Sequence, residues 1–322
     1  MRTAKVPLCL ALLALLACPI GASAQKYPEK PIRMIVAFPT GASQILALLL
    51  ADKLRDAVGQ GVVPDFRPGA GGNVAHELAA KAPSDGYTLL LTSGSITISP
   101  SLYPKLAYDT FRDFTPISNL ASVPNVMVVH PSVPAKTLGE LVRLARSMPG
   151  KLNYGSGGFG SGSQLGSELF MSLAKVRITH IPYKGATLAI TELIGGQIVL
   201  YASSMPPALP LINGGKLKAL GVTTAKRLAP LPNVMTVAES GVPGYEAVNW
   251  YGVFVPAGAS KEIIAKLHND IVRVLKQPDV KDRFAGEGGD IIADTPEQFA
   301  AFVSKEIPKW SKVVKDASVK VD

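Results

Sequence analysis

Residues 155–164, GSGGFGSGSQ, gather glycines and hydroxyl side chains at the point where a strand-like run (151–156) gives way to a helix-like one (163–174). Gly155, Gly157 and Gly160 stand in G-x-G-x-x-G spacing. Glycines let backbone N–H groups approach an anion closely, and the helix that follows directs its positive end there. Ser156, Ser161 and Ser163 add hydroxyls, Gln164 an amide and Phe159 an apolar face. A dinucleotide-binding loop begins this way too, but it needs an acidic residue about 20 positions on to hold the ribose hydroxyls. The strand-like run RITHIPY at 177–183 contains none. A strand-to-helix turn that needs small residues only for packing is the plainer alternative.

A second stretch shifts the balance toward a ligand. AFPTGASQ (37–44) is again a strand end, a small-residue turn and a helix start, offering Thr40, Gly41, Ala42, Ser43 and Gln44. A third, TSGSITISPSLYP (92–104), places Thr92 and Ser93 after another strand. Ser203 and Ser204 close a further strand-like run, QIVLYASS. Two glycine turns facing each other across a cleft, Ser156, Gly158, Phe159, Gly160, Ser161, Ser163 and Gln164 on one side and 40–44 on the other, suit a ligand with two anionic groups. Neutral donors of this kind favour reversible carboxylate binding without chemistry.

Catalytic signatures are absent from the sequence. No G-x-S-x-G nucleophile elbow occurs. His76, His130, His180 and His268 are isolated, with no H-E-x-x-H pairing that would hold zinc. We expect no catalytic residue, no metal and no cofactor.

The elements that must position these turns follow an α/β rhythm. Strand-like runs at 32–38, 61–66 and 87–93 alternate with helical stretches at 43–58 and 73–82. Around 111–136 the rhythm changes, with several prolines and an apolar strand at Val126–Val129. A second α/β set runs to 224, and VPGYEAVNWYGVFVPAG (242–258) suits a return crossing. Helices at 261–277 and 295–317 finish the chain, the latter opened by a capping box of Thr295 and Gln298. The expected division is lobe 1 from 25–124 plus 249–322 and lobe 2 from 125–248, with the cleft between them as the ligand site.

Residues 1–24 read as a secretory signal peptide. They show basic Arg2 and Lys5, the apolar run VPLCLALLALLA, and the small residues ASA before Gln25, so that cleavage is expected after Ala24. Cys18 allows a lipoprotein reading, but Leu16 and Pro19 fit that signal poorly. Both cysteines, Cys9 and Cys18, fall inside this leader, so the exported chain has no thiol for a disulfide, a metal or a nucleophile. The formal charge of +9 suits anionic ligands, yet no cluster of Lys/Arg with interleaved aromatics points to nucleic acid.

The motifs YPEKPIRMIVAF, RPGAGGN, AAKAPSDGYTLL, SPSLYPKLAYD, VPNVMVVHPSVPAKTLGELV, LNYGSGGFGSGSQLGSELF, HIPYKGA and WYGVFVPAG occur in order along nearly the whole chain. Together they resemble the Bug receptor family, periplasmic solute-binding proteins of tripartite tricarboxylate transporters. The resemblance implies a type II periplasmic-binding-protein fold, two α/β lobes closing on a small carboxylate. It also implies ligand loops at Phe38–Gln44 and Ser156–Gln164, and delivery to a permease of one small and one large membrane subunit. A periplasmic monomer is expected. The chain departs from the family pattern at Gln44 and Ser203, where acids are common, and at Phe159 and Gln164, where Asn and His are common. Loss of two acids disfavours a ligand amino group. Phe159 suggests an aromatic carboxylate such as a phthalate isomer. Two other readings stay open: an exported α/β enzyme using the Gly155–Gly160 loop for a nucleotide or anionic substrate, and a ligand-sensing adaptor for a membrane kinase.

Overall fold

The computed structural model describes residues 27–286, 289–317 and 319; the expected leader and its cleavage point lie outside them. Among the described residues ten strands share one continuous, curled sheet in the order β2-β1-β3-β9-β4-β7-β5-β6, with β10 and β8 also paired to β4. The sheet is continuous because of one long strand. β4 (Phe114–Val129) runs through both lobes. Over Phe114–Pro124 it pairs with β9 (Val248–Pro256), and over Asn125–Val129 with β7 (Leu200–Ser204). β8 (Lys218–Val222) also pairs with its second half.

On the first side of that switch lie β1 (Ile32–Val36), β2 (Val62–Phe66) and β3 (Thr88–Ser93), all parallel. β10 (Asp290–Ile291) lies there too, antiparallel to β4. The run Leu89, Leu90 and Leu91 is buried throughout because helices cover both faces of the sheet. One face carries α1 (Ala42–Val58) and α8 (Lys261–Leu275), whose apolar residues recur at helical spacing: Leu46, Leu50, Leu54 and Leu267, Ile271, Val274. α9 (Pro278–Gly286) adds Val280 and Phe284 to the same core. The opposite face packs α2 (Asn73–Ala80) with Trp250, Phe254, Phe299 and Val303.

The second side repeats the scheme with β5 (Asn153–Ser156) and β6 (Thr179–Pro182) parallel. α4 (Leu138–Ser147) and α5 (Gly162–Ala174) cover one face, α6 (Ala186–Ile194) and α7 (Met205–Asn213) the other. α10 (Pro296–Asp316) begins with the expected capping box, Thr295 Oγ1 accepting from Gln298 N and Gln298 Oε1 from Thr295 N. Phe299 and Val303 pack into the first side, whereas Trp310 and Val314 pack into the second, so this helix straps the two together.

Two proline-rich segments take regular structure. The proline-rich region expected to change rhythm is the first half of β4. Pro116 sits beside a register shift, and Pro124 ends the pairing with β9, places where a missing N–H costs no ladder bond. MPPALPLIN folds as α7, because Pro206 and Pro207 fall in a first turn that needs no N–H donors.

The sheet and α10 meet most tightly at Gly252, where an added Cβ would stand 2.2 Å from Phe299 Cζ. Gly252→Ala is expected to destabilise the protein by about 1–3 kcal/mol through overpacking, and urea denaturation of both forms checks this.

Candidate functional site

A cavity of about 60 Å³ lies where the two sides of the sheet face each other. Its wall is built from the beginnings of helices. Gly41, Ala42 and Ser43 open α1; Ser161, Gly162 and Ser163 open α5; Ala186 opens α6; Ser204 precedes α7. The strands contribute Ser93 of β3, Tyr201 and Ala202 of β7, Asn125 of β4, and Asn249 and Tyr251 of β9. Phe38, Thr40 and Gly157 complete it.

None of these residues carries a charge, and none of the four helices has an acid in its first turn. α1, α6 and α7 lack a cap from their own N-cap side chains; the first N–H of α6, Ala186 N, meets Thr40 Oγ1 from the other side, and Pro206 and Pro207 bring no N–H to the first turn of α7. Each helix start behaves as roughly +0.5 of a charge. Gly41 makes the tight entry to α1 possible: its φ of +70° is a conformation that a side chain disfavours. Two buried polar atoms on this wall, Ser43 Oγ and Asn125 Nδ2, have no hydrogen-bond partner. Four positive helix ends, two orphaned polar groups and no counter-charge make an anion-binding cavity.

The two sides touch around this cavity. Ala186 N donates to Thr40 Oγ1 at 3.1 Å. Gly162 lies so close to Asn249 that a Cβ would stand 1.7 Å from Asn249 Oδ1. Beyond the cavity, an added Cβ on Gly71 would meet the Phe159 carbonyl at 2.4 Å.

Of the residues expected from sequence, Thr40, Gly41, Ala42, Ser43, Ser93, Ser161, Ser163 and Ser204 lie on the wall. The others stand elsewhere, for physical reasons. Gln44 is one step further along α1, about 100° around the helix, and faces solvent. Thr92 points to the opposite face of β3 from Ser93, where its Oγ1 lies 2.7 Å from buried His76 Nε2. Ser203 alternates away from Ser204 and donates to the Ser204 carbonyl. Neither Gln44 nor Ser203 lines the cavity.

Ser156, Gly158, Phe159, Gly160 and Gln164 brace the second turn instead of lining it. Gly160 N donates to Gln164 Oε1 at 2.7 Å, so Gln164 Nε2 faces His180 Nδ1 at 3.3 Å. The His180 proton therefore sits on Nε2, which donates to Ser156 Oγ at 2.7 Å. Ser161 Oγ donates to the Gly158 carbonyl at 2.6 Å, and Ser163 Oγ accepts from Gly157 N at 3.0 Å. Phe159 sets its ring edge-to-face on His180, 5.2 Å between centroids, and Tyr154 stacks on the same imidazole at 4.9 Å. The Ser156–His180 pair looks like a nucleophile and base but has the wrong tautomer, since a serine-activating imidazole must accept from the hydroxyl. No group of residues that would hold a metal occurs among the described residues.

Sequence reasoning missed Asn125, Asn249, Tyr201 and Tyr251, which sit inside apolar strands without a turn signature. The signal available was an Asn interrupting each of two apolar runs, VPNVMVV and AVNWYGVFV.

Residues 46–319 match the tripartite tricarboxylate transporter family receptor. Protein BugT of Bordetella pertussis is 36% identical over 302 residues, covering 93% of each chain. The R. palustris structure Rpa4515 with adipate superposes with a TM-score of 0.88 at 35% identity, covering 91% of this chain and 99% of that one. MatC (Rpa3494) from Rhodopseudomonas palustris with bound malate gives 0.85 at 31%, covering 89% and 100%.

Burial pushes the His180 ring down to about 4 from its ordinary 6.5. The unfolded chain therefore binds a proton between pH 6.5 and about 4 that the folded chain refuses, and this part of stability falls as pH falls. His180→Gln removes it. Between pH 6.5 and 5 the wild type should lose roughly 1 kcal/mol per pH unit more than the variant, allowing for the ring's partial exposure. Urea midpoints at the two pH values check this.

Proposed function

The chain belongs to the tripartite tricarboxylate transporter receptor family, a family of solute-binding receptors and not of enzymes, and on that premise we propose that it captures a small dicarboxylate in the periplasm for delivery to a membrane permease. The observation that carries the reading is the uncharged cavity walled by four helix N-termini. A carboxylate there meets converging N–H groups and hydroxyls, and a second carboxylate meets the corresponding set on the opposite lobe. No acid on the wall would hold a ligand ammonium, so plain dicarboxylates are favoured over amino-dicarboxylates.

An aliphatic ligand is favoured. The relatives of known structure hold adipate and malate. The aromatic reading no longer rests on Phe159, whose ring abuts His180. It keeps one support, the aromatic wall of Phe38, Tyr201 and Tyr251.

The remaining parts of the proposal concern processing and closure. The leader is cleaved after Ala24, and the exported receptor acts as a monomer. The lobes are 25–124 plus 249–322 and 125–248, moving about β4 and β9, with the second half of α10 strapped to lobe 2. No described helix is long and apolar enough to cross a membrane, so passage across it falls to the one small and one large permease subunits. Carboxylate docks on one lobe's donors, and closure brings up the other's.

A thermal-shift screen of the protein lacking residues 1–24, refolded to strip ligand, tests the reading. The panel is adipate, malate, tricarboxylates, phthalate isomers, amino acids and NAD. A ligand at a hundred times its Kd adds about 2.7 kcal/mol, and each kcal/mol moves Tm by roughly 2–4 °C at this size. Shifts with aliphatic dicarboxylates are expected. Shifts with phthalates alone would transfer the proposal to aromatic acids, and a shift with NAD and no acid would overturn the receptor reading.

A further inference from the structure

We propose that Asn125 sets the polarity of the ligand this receptor accepts: its side-chain amide is a fixed hydrogen-bond donor at the hinge that requires an acceptor oxygen and refuses a donor. The inference rests on the dicarboxylate reading above and deepens it. Asn125 stands where β4 changes partners, Pro124 being opposite Val248 of β9 and Asn125 opposite Ser204 of β7. Its backbone cannot shift freely. Its N–H donates to Thr223 Oγ1 at 2.9 Å, while its carbonyl accepts from the Thr223 hydroxyl at 2.9 Å and from Thr223 N at 3.0 Å.

The side chain is equally constrained. Asn125 Oδ1 accepts from Asn249 Nδ2 at 3.0 Å. Asn249 is itself wedged, its own Oδ1 pressed against Gly162 at the start of α5. With Oδ1 engaged, what Asn125 has left is Nδ2, which is buried without a partner on a residue only 1% exposed on the cavity wall. A buried amide hydrogen with no acceptor is destabilising, so an acceptor oxygen from the ligand completes the closed site. Asn125 and Asn249 lie on β4 and β9, the two strands that join the lobes, so a ligand oxygen bound there ties both to the closed arrangement. Asn249 acts as a positioning residue that turns the Asn125 amide the right way.

The substitution that reads this directly is Asn125→Asp. It keeps the size and the oxygen facing Asn249, and replaces the cavity-facing donor by an anionic acceptor. Asn125→Ser stays neutral and withdraws the donor, its hydroxyl stopping one bond short of where Nδ2 stands. Titration calorimetry of wild type and both variants with adipate, malate and aspartate as probes is the experiment, with circular dichroism and melting to verify folding. Asn125→Ser should weaken the dicarboxylate that wild type binds best by about tenfold, the loss of one hydrogen bond. Asn125→Asp should weaken it by roughly a hundredfold or more, through like-charge repulsion in a closed site. The affinity ratio of aspartate to malate should rise in Asn125→Asp and stay near wild type in Asn125→Ser.

If wild type binds a dicarboxylate and Asn125→Asp binds it within about threefold, the assignment falls while the receptor reading stands. Equal weakening by the two variants would also overturn it, because polarity would then not matter. Should Asn125→Asp fail to fold, a folded Asn125→Ser with wild-type affinity overturns the proposal and a tenfold loss upholds it. If wild type binds none of the acids, the dicarboxylate reading fails first and takes this one with it.

Discussion

Four helices point their positive ends into one cavity that contains no negative charge, and the rest of the structure follows from holding them there. Like dipole ends repel one another, so the arrangement costs free energy unless an anion or water sits between them. The helices are held in place by the cores behind them: Leu46, Leu50 and Leu54 for α1, and Leu165, Phe170 and Met171 for α5. Packing energy distributed through two sheets thus sustains an electrostatically unfavourable centre. That centre becomes favourable when a carboxylate enters.

The same demand explains the long strand. If one lobe carried all the donors, a single rigid domain would suffice. Dividing them, α1 and Ser93 on one side and α5, α6 and α7 on the other, requires a connection shared by both. β4 supplies it by exchanging partners in mid-strand, from β9 to β7 between Pro124 and Asn125. The proline lacks the N–H that would tie the strand to a continuing ladder, and the following N–H is taken by the Thr223 hydroxyl instead. α10 adds a second link, running from the Phe299 core to the Trp310 core. Where it crosses, Glu306 accepts from the indoles of both Trp250 and Trp310.

Much of this was legible in the sequence, and the pattern of what was not is physical. The turns at Gly41 and Ser161 announced themselves because strand, small residues and helix follow one another within a few positions, and the whole-chain family resemblance gave the fold. The sequence could not distinguish residues that line a cavity from residues that brace a loop, since both are small and polar. Ser163 lines the cavity while Ser156, only seven positions earlier, holds His180. Gln44 and Ser43 differ by one helical step, and only the packing of α1 decides which of them faces inward. Asn125 and Asn249 escaped because a wall residue in a strand has no local signature; its role comes from a partner 124 positions away. α7 escaped because its three prolines argue against a helix until two of them are seen to occupy the first turn.

The wall carries no arginine or lysine, and that fits the proposed function. A bidentate arginine would hold a carboxylate strongly even in an open lobe. Helix ends offer about 0.3–1 kcal/mol each, and single neutral hydrogen bonds about 0.5–1.5. Either lobe alone therefore retains a ligand weakly, whereas both together can reach the affinities of a working receptor. Each contact is lost separately as the lobes part. On the proposed function, retention would depend on closure more than on any one residue, and opening of the lobes would release the ligand without competition for it.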